Sequence, residues 1–287
     1  MDQIKLFIEL ARLNKPIGYM LLFWPCAWGL TLGFNFNNNF NQYFFYLFLF
    51  FGGSILMRSA GCIVNDILDK KFDKKVERTK NRPLTSGKVS TNLALTYAVV
   101  LCLLAFFVLI NFNKITIILA ICSMPLAFTY PLMKRFTYWP QLFLGVTFNY
   151  GLILGWTSVN NELHYIPAIL YLGAIFWTLG YDTIYGYQDI ADDEIIGVKS
   201  TSIKFKKIPN LFVGLCYLIF ILTLTIIGYL MGFNKLYYFL ISIIAFHLII
   251  YQIKNFNSLN PNVCFRVFKS NNFLGLIVYI SIICGKI

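Results

Sequence analysis

"FFYLFLFFGGSILMRSAGCIVNDILDKKFD", residues 44–73, opens as an apolar run long enough to cross a bilayer and closes on three carboxylates, Asp66, Asp69 and Asp73. About 20 apolar helical residues span the ~30 Å of a hydrocarbon core. A helix entering lipid near Phe44 therefore reaches water close to Asn65. Acids at that depth escape the cost of about 2.5–3.5 kcal/mol that an acid pays at mid-span. They stand at the mouth of a span.

The rest of the chain repeats the apolar pattern. Of 287 residues, 58% are hydrophobic and 13% charged, where a soluble domain carries about 25% charged residues; the mean hydropathy is +0.68. Nine segments approach membrane-spanning length: 17–34, 43–64, 93–111, 114–132, 139–158, 165–185, 209–231, 236–252 and 271–286. The expectation is an all-α polytopic membrane protein, one domain over 1–287, with about nine transmembrane helices bundled around a central cavity. "MDQIKLFIELARLNKP" (1–16) reads as an amphipathic helix at the interface leading into the first span. It lacks the Arg and Ser richness of a transit peptide, which favours a bacterial inner membrane over a mitochondrial one.

A net charge of +12 raises nucleic acid as a partner, and the distribution of the cations excludes it. Twenty of the 24 Lys and Arg fall on one side of the alternating spans. Lys114, Lys235 and Lys286 fall on the other, and Arg58 lies inside the second span. By the positive-inside rule this puts the N-terminus in the cytoplasm. The seven cysteines are scattered through mostly apolar runs with no C-x-x-C pair and read as packing residues.

The acids are not scattered. Nine of twelve occupy two windows: Asp66, Asp69, Asp73 and Glu77, then Asp182, Asp189, Asp192, Asp193 and Glu194. If the helix of the second span runs on into the loop, Asn65, Asp66, Asp69 and Asp73 fall within an arc of about 100°, while Asp182, Asp189 and Asp193 fall within about 40°. Aligned carboxylates repel, so a cation belongs between them. Oxygen-rich sites suit Mg²⁺ or Ca²⁺, and Mg²⁺ combines one or two carboxylates with waters and phosphate oxygens. With His164 and His247 the sole histidines, no His/Cys set points to zinc.

"NDILDKKFD" (65–73) and "DIADD" (189–193) resemble the two aspartate-rich signatures of the UbiA superfamily of intramembrane aromatic prenyltransferases, N-D-x-x-D-x-x-x-D and D-x-x-x-D. "LNKPIGYMLLFWPCAWGL", "MRSAGCIVND", "ERTKNRPLTSG", "YPLMKRFTYWPQ" and "YDTIYGYQDIADDEIIGVKST" extend the likeness towards the branch that prenylates 4-hydroxybenzoate in ubiquinone biosynthesis. The strong blocks cover about 12 to 205, the remainder resembling the family by hydropathy alone. Departures are mild: Lys70 and Lys71 stand where an Arg-Lys pair is expected, and "GYQD" replaces a more apolar run.

The resemblance implies transfer of a polyprenyl group from its diphosphate to the ring of 4-hydroxybenzoate, with two Mg²⁺ ions assisting. Asn65, Asp66, Asp69 and Asp73 would hold one ion and Asp189 with Asp193 the other, Asp182 joining them or orienting a ligand. Lys70, Arg135, Arg82 and Lys134 are the candidate diphosphate contacts, since Arg grips phosphate oxygens bidentately and Lys as a point charge. Arg58, an intramembrane cation and so a functional candidate by default, would face the acceptor's carboxylate or the diphosphate; Tyr181 and Tyr185 are candidates to line the acceptor site. Haem, a naphthoate or homogentisate are alternative acceptors. From another class, a cation transporter would also carry paired acids, but near mid-span.

Overall fold

In the computed structural model, residues 3–37 and 40–287 are described, and among them every regular element is helical. The segment that opened the sequence reading lies in a single 34-residue helix, Phe40–Asp73, which carries the apolar run and the acids on one continuous rod. In chain order we label α1 Gln3–Leu10, α2 Ile17–Gly33, α3 Phe40–Asp73, α4 Thr91–Leu109, α5 Lys114–Phe136, α6 Pro140–Asn160, α7 Tyr165–Gly186, α8 Ile190–Ile196, α9 Thr201–Lys204, α10 Pro209–Leu230, α11 Lys235–Asn255 and α12 Pro261–Lys286. Ser90, Asn113, Asn234 and Asn260 cap α4, α5, α11 and α12, each side chain accepting a backbone N–H of the first turn.

Seven of these helices are long and apolar enough to cross a membrane: α3, α4, α5, α6, α10, α11 and α12. The sequence pattern leads one to expect nine. The two that fall short of this measure, α2 with 17 residues and α7 with 22, are helical at the expected positions and sit in the middle of the bundle. Eleven residues of α2 and thirteen of α7 are buried. A helix ringed by protein needs less apolar surface than one facing lipid, which lets α7 carry Thr178, Asp182 and Thr183. The last expected span starts ten residues early: helix begins at Pro261, and Pro261–Lys269 forms an amphipathic lead-in before the chain continues as Asn271–Lys286.

Small residues set the closest approach. A Cβ on Gly29 of α2 would stand 2.0 Å from the Leu152 carbonyl oxygen of α6, and one on Gly155 2.3 Å from that of Cys26. The G-x-x-x-G spacing of Gly151 and Gly155 thus brings two backbones together, a contact that lipid-embedded helices use because dispersion must replace the hydrophobic effect between them. At the far end of the bundle, Lys286 Nζ donates to the carbonyls of Thr31, Leu32 and Phe34, closing the C-terminus of α2.

Candidate active site

The last two turns of α3 present Asp66 and Asp69 at 1% exposure and Asp73 at 7%. Charges this deeply buried need partners, and loops distant in sequence supply them. Arg82 Nη1 donates to Asp66 at 3.0 Å and to Asp73 at 2.8 Å. Lys134 Nζ reaches Asp69 at 2.5 Å, with Arg135 at 3.4 Å from the same carboxylate and 2.8 Å from the Leu68 carbonyl. Arg12, between α1 and α2, pairs with the Asp66 oxygen that Arg82 also holds.

The second acid window folds against the first. Asp189 begins α8, and its carboxylate is held by Arg78 Nε at 2.8 and 3.0 Å and by Nη2. The Glu77 backbone N–H donates to Asp192 at 3.1 Å, so the loop after α3 is stitched directly to α8. Lys199 N–H to the Lys134 carbonyl, 2.8 Å, ties the segment beyond α8 to the end of α5. Lys134 lies between the two sets: it touches Asp69, and its charge acts on Asp193. Burial, and then the charge of Asp189, push the Asp193 carboxyl up to about 6.

Cations crowd this mouth. Burial and then the Arg12 charge lower the pKa of Arg82. Lys15 is lowered in the same way, by burial and then by Arg12, Arg78 and Arg82. Four basic side chains thus share one field, which an incoming polyanion would relieve. Arg12 is held there by its backbone, at φ 54°, the left-handed position at which glycine ordinarily closes a helix. Non-glycine residues held in that region cluster at active sites and ligand clamps, though loops use it too, as Asn161 does at the end of α6.

Below the mouth lies a cavity of about 300 Å³ between α2, α3, α4, α5 and α6, walled almost wholly by apolar side chains and reached by Ser54, Met57, Arg58, Tyr130 and Phe148. Arg58 lies at its polar end, its guanidinium 5.3 Å from the centre of the Phe148 ring, and its buried Nε has no hydrogen-bond partner. Asp182 of α7 falls within the field of Arg58, and its carboxylate accepts no hydrogen bond among the described residues.

Two residues of the expected set stand apart from the acid mouth in this geometry. Lys70 leaves the acid cluster: Nζ donates to Thr91 Oγ1 at 3.1 Å, because one residue past Asp69 a helical side chain has turned about 100° away. Tyr181 faces the core at 1% exposure, with its hydroxyl accepting from Thr178 at 3.2 Å and its ring edge-on to Trp177. Tyr185, one turn on, does reach the site; its hydroxyl accepts from Arg78 at 3.3 Å and its ring packs 4.5 Å from Phe268. Asn65 is half-buried beside Asp66. Arg12 and Arg78 were absent from the expected set. Arg78 stands four residues before Arg82 within "ERTKNRPLTSG", a usable signal, whereas nothing local distinguishes Arg12 from other cytoplasmic cations.

No three His, Cys, Asp or Glu side chains among the described residues converge on one point, since each buried acid of α3 is engaged by a cation. The donor set nevertheless fits Mg²⁺, which needs only one or two carboxylates when phosphate oxygens and water complete its shell.

A model of the UbiA prenyltransferase family matches residues 22–277. The chain belongs to this family. As a UbiA-family member it is a prenyltransferase and a multi-span membrane enzyme, which removes the transporter reading. It is 39% identical over 284 residues to the mitochondrial 4-hydroxybenzoate polyprenyltransferase of Drosophila melanogaster, covering 99% of this chain and 72% of the relative. It is 36% identical over 282 residues to the 4-hydroxybenzoate octaprenyltransferase of Vibrio campbellii, covering 98% of each. Among solved structures, a UbiA homologue from Aeropyrum pernix superimposes with a TM-score of 0.76 at 21% identity, over 93% of this chain and 98% of that one. A homologue from Archaeoglobus fulgidus bound to GPP and Mg²⁺ gives 0.69 at 18%, over 98% of each.

Proposed function

We propose that this UbiA-family enzyme moves a polyprenyl group from polyprenyl diphosphate to C3 of 4-hydroxybenzoate, a step of ubiquinone biosynthesis, in an Mg²⁺-dependent reaction. The observation that carries the reading is the junction of a cation-rich acid mouth with an apolar cavity at Arg58. A diphosphate fits the first, an isoprenoid tail the second, and an aromatic carboxylate the buried guanidinium between them. Relatives named for 4-hydroxybenzoate transfer support the acceptor, and a homologue bound to GPP and Mg²⁺ supports the donor and the metal. Relatives of both mitochondrial and bacterial origin match nearly the whole chain, so the membrane proposed is a quinone-making one of either kind.

Asp66, Asp69 and Asp73 on one side and Asp189 with Asp193 on the other are the proposed ligands of two ions, with Asn65 completing the first set. Bound metal would neutralise the charge developing on the leaving diphosphate. Metal held by these carboxylates would favour the ionised form of Asp193 and would leave Arg12, Arg78, Arg82 and Lys134 free to donate to diphosphate oxygens. Arg58 holds the acceptor's carboxylate, which sets the ring against the allylic carbon. Phe148 and Tyr130 offer aromatic surface to the cation formed there. The C–O bond breaks with its electron pair leaving on diphosphate. A ring carbon ortho to the hydroxyl then bonds to the allylic carbon, and the proton on that ring carbon is lost. The apolar wall keeps out water, which would capture the cation as a prenyl alcohol.

Purified enzyme in vesicles, given a polyprenyl diphosphate, Mg²⁺ and a panel of 4-hydroxybenzoate, a dihydroxynaphthoate and homogentisate, tests this. Product from 4-hydroxybenzoate that vanishes with EDTA is expected. Turnover untouched by EDTA removes the metal, and preference for another acceptor removes 4-hydroxybenzoate.

A further inference from the structure

The last 93 residues, 195–287, contain nine Lys and Arg and no Asp or Glu. Lys206 borrows Glu194 from α8, at 2.8 Å. Lys254 and Arg266 have no such recourse: among the described residues neither side chain joins an ion pair or donates a hydrogen bond. They line the same recess of about 520 Å³, with Asn210, Asn257 and Ser258, and no acid lines it. The recess lies where α10 begins, α11 ends and α12 begins, on the side that the distribution of cations makes cytoplasmic. Three spans leave the bilayer there, so an unbalanced cationic hollow opens at headgroup depth.

The neighbouring surface is apolar. Leu259 on the rim is 90% exposed. From Asn210 a row of exposed leucines descends α10: Leu211 at 60%, Leu215 at 52%, Leu218 at 47% and Leu222 at 52%. Their i, i+4, i+7, i+11 spacing puts them on one face, a track running from the recess into the membrane.

We propose that this recess binds the headgroup of an anionic phospholipid, with an acyl chain along the α10 leucines. Lys254 and Arg266 donate to phosphate oxygens, and the unpaired amide of Asn210 stands at the first turn of α10, whose free backbone N–H groups favour an anion. Basic pockets between helices on the cytoplasmic side suit anionic headgroups. Inorganic phosphate has the same oxygens but nothing to lie along the leucine row. A zwitterionic lipid has the chains but a quaternary ammonium that two cations repel. The site is separate from the acid mouth and independent of which acceptor the enzyme uses.

Native mass spectrometry of the full chain in detergent with equimolar phosphatidylglycerol and phosphatidylcholine provides the test. Retention of phosphatidylglycerol over phosphatidylcholine by about tenfold is expected, collapsing towards parity in Lys254→Gln/Arg266→Gln and unchanged in Lys235→Gln at the opposite face. Prenyl transfer by the double variant in phosphatidylcholine vesicles establishes that it is folded, and Arg266→Lys, which keeps the charge, should hold most of the preference. Equal retention of both lipids by the unaltered chain, or an undiminished preference in the double variant, overturns the proposal. So does removal of the preference by inorganic phosphate at the concentration of the lipid, which would mark a simple anion site.

Discussion

In the C-terminal half of the bundle, Trp177 Nε1 donates to Asn271 Oδ1 at 2.8 Å, Gln252 Nε2 reaches the same oxygen at 3.0 Å, and Tyr217 donates to Gln252 Oε1 at 2.6 Å. α7, α10, α11 and α12 are thus joined by a buried polar network whose members satisfy one another, and Trp28, Trp177 and Phe220 stack beside it. In the N-terminal half, α4 packs along α3, but a cavity opens between these two helices and α2, α5 and α6, and Arg58 Nε is left with nothing to donate to. Both halves bury polar atoms, but the network around Asn271 is completed internally, whereas Arg58 Nε is not. A closed network rigidifies, whereas an open cation beside a cavity calls for a partner from outside. The mouth between the halves combines the two conditions: Asp66, Asp69, Asp73 and Asp189 are satisfied, but by cations that a metal and a diphosphate would redistribute.

The contrast breaks most decisively at the acids. Asp69→Asn and Asp189→Asn should each lower kcat/KM by about 10²–10³-fold with little change in the thermal unfolding midpoint; near-normal turnover in either variant removes that residue from the chemistry. Arg58→Ala is next in size. Loss of a charge-assisted contact worth about 1.5–3 kcal/mol should raise the KM for 4-hydroxybenzoate by about 10- to 100-fold and leave that for the polyprenyl diphosphate nearly unchanged. KM values unchanged from the parent enzyme for both substrates would return Arg58 to a packing role against Phe148.

On the closed side, Gln252→Leu strands Tyr217 and one donor contact of the network, and should cost about 1–2 kcal/mol in a reversible unfolding measurement while KM values stay put. An effect on acceptor KM as large as that of Arg58→Ala would show that the halves are not distinct. Lys70→Ala should be the mildest, below about twofold in kcat/KM, because an exposed contact to Thr91 carries little; a tenfold fall would bring Lys70 back to the diphosphate.

The helical nature of the chain and the positions of its apolar segments are legible without coordinates, because a bilayer imposes a length rule on each segment by itself. Asp66, Asp69 and Asp73 are legible as one face for the same local reason: α3 is a single helix, and 100° per residue determines what points together. That rule also carries the warning about Lys70, whose place one residue after Asp69 turns it towards α4. Seven of the nine expected spans pass as membrane-crossing by length and composition, since α2 and α7 are shaped by helices around them and not by lipid.

Tertiary structure alone decided which cations meet which acids. Arg12 is 54 residues from Asp66, Arg78 is 111 from Asp189, and Lys134 is 65 from Asp69. Local periodicity relates residues a few turns apart. Contacts across such separations follow from how α2, α3, α5 and α7 cross, and from loops stitched over the mouth. The turn of Tyr181 into the core, the cavity that ends at Arg58 and the unbalanced recess at Lys254 and Arg266 arise in the same way, from packing between segments whose own sequences carry no record of one another.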